Sequence, residues 1–203
     1  MDPANTTTFF ESDLEFTFPS DWTVRKFDDT TAYQSLSGHG LKGVDFIAIS
    51  PDDRLWLIEV KNFRPRRKGS REYRAERRAP TLLASDLHRK FVDSVRLINI
   101  VQQYLHRSRW RSLQIWYRTR VRPDRNSNYW FWQRTYELCG GGTRHVGDLE
   151  YVVWMETPEA NNDYDVTLYQ LLSERMPVGA SITVAESDHP QGLPIRAKAV
   201  AVE

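Results

Sequence analysis

Two apolar runs, Val44–Ile49 (VDFIAI) and Leu55–Lys61 (LWLIEVK), are separated by Ser-Pro-Asp-Asp-Arg. Proline followed by aspartates is turn chemistry, so the pattern predicts a β-hairpin with a five-residue loop. Upstream, Leu14–Phe18 and Trp22–Phe27 read as strands around Pro19-Ser20-Asp21, Asp28–Leu36 as a short helix and Ser37–Gly43 as a glycine-punctuated loop. After Pro80, the residues Leu83, Leu87, Phe91, Val95 (or Ser94), Ile98, Val101 and Leu105 recur at spacings of three and four. They form one stripe of a long helix, with Arg89, Lys90, Asp93 and Arg96 elsewhere on the cylinder. Leu113–Thr119 and Leu149–Glu156 read as strands, Val166–Met176 as a second amphipathic helix, and Ile182–Ala185 and Ile195–Val202 as terminal strands. Residues 120–148, including Tyr129–Trp132, show no decisive period. The order of elements predicts one mixed α/β domain over residues 1–203, with a basic loop at 62–80 and a C-terminal extension at 120–203.

Composition narrows the class. With 40% apolar residues and 12% aromatic ones, the 203-residue chain can bury a sizeable core and is not disordered throughout. No apolar run approaches the roughly 18 residues of a membrane span, and no basic segment precedes an apolar one at the start. A single cysteine, Cys139, excludes a disulfide framework, and no Cys/His spacing suits structural zinc. A reducing, cytoplasmic setting is the expectation. The net charge of +1 hides segregation: residues 1–60 carry −7, residues 61–125 carry +14 and residues 126–203 carry −6. Such a basic block suits phosphate contacts, or serves as a solvated face paired with the acidic flanks.

Candidate chemistry emerges from strand alternation. In LWLIEVK, Leu57, Glu59 and Lys61 share one face. If Ile49 pairs with Leu55, Leu57 lies opposite Ile47 and Glu59 opposite Asp45. Two carboxylates on adjacent strands repel unless a cation joins them, and a one-residue slip would send Asp45 to the other face. The pair suits Mg²⁺ (or Mn²⁺), with the backbone carbonyl of Val60 as a further ligand. Lys61 would hold or help deprotonate the attacking water and offset charge on a phosphoryl group. The chain has 22 Arg but only six Lys, and of these Lys61 alone has an acid two residues before it. A compact ammonium suits that position better than a planar guanidinium.

Gly43-Val44-Asp45-Phe46-Ile47-Ala48 followed by Leu57-Ile58-Glu59-Val60-Lys61-Asn62 resembles the PD-(D/E)xK nuclease superfamily over roughly residues 22–119. The resemblance implies a restriction-endonuclease-like fold, a central mixed β-sheet flanked by helices. It also implies metal-dependent hydrolysis of nucleic-acid phosphodiesters, DNA in preference to RNA, in a single nuclease-like domain. Asp45 and Glu59 would be metal ligands, Lys61 the catalytic lysine and Asp28 (or Asp29) an added acid from the first helix. Position 44 is Val where the pattern has proline.

Arg64, Arg66, Arg67 and Lys68 directly follow the proposed site and would track a phosphate backbone. Lys90 and Arg89 read as surface residues, His39 as ordinary loop, and tryptophans 110, 116, 130, 132 and 154 as core. Cys139 has no evident base and reads as inert. Competing readings are a strand-end Glu59–Lys61 ion pair with Asp45 as a structural cap, a catalytically silent nucleic-acid-binding or scaffolding protein of the same fold, and an interaction module whose Arg-rich loop docks an acidic partner.

Overall fold

The computed structural model describes residues 6–36, 40–68, 71–73, 76–140, 149–157, 162–177 and 180–200, with the side chains of 32, 35, 36, 66–68, 71–73 and 162 outside that description. The first elements are the antiparallel strands β1 (Thr6–Glu11) and β2 (Leu14–Pro19), then β3 (Thr23–Lys26) and α1 (Thr31–Leu36). The expected hairpin follows as β4 (Phe46–Ile49) and β5 (Leu55–Asn62). A small hairpin, β6 (Arg66–Lys68) and β7 (Arg71–Tyr73), precedes α2 (Pro80–His106), α3 (Arg109–Trp116), a π-helical turn (Tyr117–Val121) and α4 (Asn128–Leu138). β8 (Leu149–Glu156), α5 (Asn162–Arg175), β9 (Ser181–Ala185) and β10 (Arg196–Ala199) complete the described elements.

The fold is α/β. Five strands form a mixed sheet in the order β3-β4-β5-β8-β9, antiparallel from β3 to β5 and parallel from β5 to β9. The parallel steps cross through the segment containing α2 to α4 and through α5, as parallel pairing requires. The β4–β5 register is Ile49↔Leu55, Ile47↔Leu57 and Phe46↔Ile58, the one that the turn predicts. Alternate residues then serve two cores. Ile47, Ile49, Leu55 and Leu57 pack with Leu87, Phe91 and Ile98 of α2, Phe131 of α4 and Leu168 of α5. Phe46, Ala48, Ile58 and Val60 pack with Leu14, Phe16 and Phe18 of β2, all three fully buried.

That second core refines the expectation of a mixed sheet flanked by helices. Helices cover one face, and a three-stranded antiparallel sheet, β1-β2-β10, covers the other. The physical reason is the strict alternation of β2, whose inward side chains each contribute roughly 2 kcal/mol of apolar burial.

Other expectations change as well. Leu113–Thr119 is helical rather than extended: the apolar residues of α3 point mostly to solvent, and only Ile115 is buried. Within the basic stretch at 62–80, read as a loop, Arg66–Lys68 and Arg71–Tyr73 pair as the small hairpin β6–β7. On α2, Asp93 and Ser94 are buried and Val95 only half-buried, so the stripe runs one residue earlier there. Residues from 120 onward supply α4 and α5 to the helical layer and put β8 against β5 along its whole length. Among the described residues no helix is long and apolar enough to cross a membrane.

Candidate active site

Every residue of β5 is buried except Lys61, which is half-buried near the C-terminal end of the strand. Glu59 is fully buried and shares the helix-facing side with Leu57. The β4–β5 ladder ends at Phe46↔Ile58, one position before the expected Asp45–Glu59 pair. Asp45 leaves it: its N–H donates to Ile58 O at 3.1 Å, so Asp45 and Phe46 lie together opposite Ile58, as at a β-bulge. The departure frees the Val60 N–H, which donates to Asp45 Oδ2 at 2.6 Å. Asp45 and Glu59 are therefore neighbours, but through a bent strand end rather than a ladder pair. The N–H and C=O of one strand residue project to the same edge, so the Val60 carbonyl is also on the Asp45 side.

The charges around Glu59 are closely packed. Glu59 Oε1 lies 2.5 Å from Lys61 Nζ and 2.6 Å from Lys90 Nζ, whereas Oε2 is buried without a hydrogen-bond partner. Burial, with the Glu59 charge next, pushes the Asp45 carboxyl up to about 7. Lys90 and the Val60 N–H pull it down, and Glu11 adds to the rise. Burial pulls the Lys90 ammonium down, but the charges of Glu59 and Asp45 outweigh it and the net direction is upward.

Lys90 is thus part of the site, a correction to its reading as a surface residue. Helical periodicity places Lys90 off the apolar stripe, but the stripe's edge abuts the sheet where Glu59 emerges. One turn further on, Ser94 accepts from the Val44 N–H at 2.9 Å and donates to Lys90 O at 2.8 Å. Asp93 Oδ2 accepts from the Lys42 N–H at 3.4 Å. These bonds pin the segment before Asp45 to the helix that carries Lys90. Gly43 lies in that segment, and a Cβ there would overlap the buried Phe27 ring.

No family model, no curated protein and no solved structure matches the chain.

The donor set is compatible with a divalent cation. Two carboxylates, one with an unpartnered buried oxygen and one whose ionisation burial and the Glu59 charge suppress, are what Mg²⁺ or Mn²⁺ would satisfy. Among the described residues no group of three His, Cys, Asp or Glu side chains could hold a metal ion. The residues that would hold it are Asp45, Glu59 and the carbonyl of Val60. Mg²⁺ characteristically takes one or two carboxylates together with water and substrate phosphate.

The other expected site residues distribute unevenly. Asp28 is exposed, and its charge acts on Lys26. The second acid whose charge reaches Asp45, after Glu59, is Glu11 of β1, itself paired with Lys26 at 2.9 Å. The sequence does not mark this strand, because Thr6–Glu11 has no fully buried face. Arg64 pairs with the fully buried Glu156 at 2.7 Å, and Glu156 also accepts from the Trp154 indole N–H and the Ser187 N–H, each at 2.9 Å. Arg66, Arg67 and Lys68 lie in β6 with their side chains outside the described part, and His39 lies outside the described residues altogether. Burial pushes the Cys139 thiol up to about 12, which keeps it protonated.

Proposed function

We propose that the protein is a metal-dependent nuclease of the restriction-endonuclease-like kind, hydrolysing phosphodiester bonds of nucleic acid, DNA in preference to RNA. The observation that carries the reading is the fully buried Glu59 carboxylate. It shares one oxygen between two ammonium groups and leaves the other without a partner, beside an Asp45 that burial disfavours as an anion. A divalent ion held there would supply Lewis-acid polarisation of the phosphate and a water of lowered pKa. Lys61, half-exposed at the mouth of the site, positions the attacking water and offsets charge growing on the phosphoryl oxygens. Lys90 presents a second ammonium from the helical side. Both lysines line a cleft of about 340 Å³ with Lys42, Arg78 and Arg89, five cations against the two acids Glu76 and Asp86, a net basic setting for a phosphate backbone.

A second reading has its own support. Lys61 and Lys90 already neutralise Glu59, so the cluster can stand as a buried ion-pair network in a silent nucleic-acid-binding protein. Incubating linear and supercoiled DNA with the protein and Mn²⁺, beside Lys61→Ala, separates the two. Cleavage by the wild type alone supports the nuclease, and binding without cleavage supports the silent protein.

A further inference from the structure

At the far end of α2 the usual arrangement of a surface helix is inverted. α3 buries only Ile115, while Trp110, Leu113 and Trp116 are more than half exposed, followed by Tyr117 and Val121 in the π-helical turn. Positions 110, 113, 116 and 117 recur at three- and four-residue spacing, so they share one outward face. Of the tryptophans expected in the core, Trp130, Trp132 and Trp154 are there, but Trp110 and Trp116 are in solvent. Between this face and the segment that leads into α4 lies a groove of about 590 Å³, lined by Trp110, Leu113, Trp116, Tyr117, Arg118 and Tyr129.

Charge says what such a face accepts. Residues 104–125 contain seven arginines and one acid, Asp124, which pairs with Arg118 at 3.1 Å. Arg111 lies over the Tyr104 ring at 4.8 Å. Exposed flat π-faces interleaved with guanidinium groups satisfy the two needs of an unpaired nucleic-acid strand, stacking for its bases and countercharge for its phosphates. A duplex keeps its bases stacked on one another and offers only the second. The face is distinct from the candidate active site: from Lys90 to Arg107, α2 advances about 25 Å. Hydrogen bonds from Arg125 to Asp21 O and from Arg25 to Asn126 O tie the following segment to β3, at the edge of the sheet, and to the turn before it.

We propose that the Trp110–Trp116–Tyr117 face of α3 and its π-helical turn, with the surrounding arginines, is a binding platform for single-stranded nucleic acid. It does not depend on cleavage chemistry, so binding is measured in EDTA, by fluorescence anisotropy of a labelled twenty-nucleotide oligo-dT. The Trp110→Ala/Trp116→Ala double variant binds at least tenfold more weakly than the wild type, and a duplex of equal length binds less well than the single strand. Both tryptophans are exposed, so the double variant keeps its fold, which circular dichroism verifies. Equal affinity of the double variant and the wild type overturns the proposal. So does a duplex bound as tightly as the single strand, or displacement of oligo-dT by poly-glutamate at equal charge, which would assign the face to an acidic protein segment.

Discussion

Lys90 Nζ lies 2.6 Å from Glu59 Oε1, across the seam where α2 packs on β5. Lys90 also lowers the Asp45 carboxyl, against the combined push of burial and Glu59. Lys90→Ala therefore raises Asp45 further and, on the proposed nuclease reading, moves the acidic limb of the pH–rate profile to higher pH, while Lys90→Arg restores most of the position. Turnover measured from pH 5.5 to 9 checks this, and an unmoved limb would show that Lys90 is merely structural.

Asp45 makes the metal-free protein sensitive to pH in an unusual direction. Its carboxyl is raised from 3.8 to about 7 in the fold, so the stability it contributes is complete below about pH 4 and is lost as pH rises through 7. Asp45→Asn removes the loss, and its amide oxygen can still accept from Val60. In EDTA the variant gains on the wild type by about 3 kcal/mol between pH 5 and 8, on the linkage of about 1.4 kcal/mol per pKa unit. Urea unfolding at both pH values gives the difference, and a variant that loses ground would mark Asp45 as a structural cap.

The hairpin was legible in the sequence because turn chemistry and alternation agree: Pro51, Asp52 and Asp53 end one run, and the Ile49↔Leu55 register follows. The placement of Asp45 was less so, because a strand end that bulges keeps no period. Glu11 and Lys90 escaped for related reasons. Glu11 closes a strand whose burial does not alternate, and Lys90 flanks a stripe whose neighbours are visible only once the helix is docked. α3 was misread since Leu113, Ile115 and Tyr117 alternate like a strand while two of the three face solvent. Apolar residues left in solvent alternate as readily as buried ones, so alternation alone does not distinguish a strand from this helix.

The segment before Asp45 depends on α2 for its position. Ser94→Ala leaves the buried Val44 N–H without its acceptor and costs about 2 kcal/mol. Gly43→Ala drives a methyl into Phe27 and costs a similar amount, in the range of about 1–3 kcal/mol for overpacking. Thermal or urea denaturation measures both. Changes below about 0.5 kcal/mol at either position would mean that the segment is not held by the helix.

A calorimetric titration of Mn²⁺ into the wild type, Asp45→Asn and Glu59→Gln at pH 8 addresses the metal directly. The carboxylate pair predicts one ion bound per wild-type chain and none in either variant. Wild-type protein that takes up no Mn²⁺, or variants that bind it as well as the wild type, would contradict a divalent centre at Asp45 and Glu59.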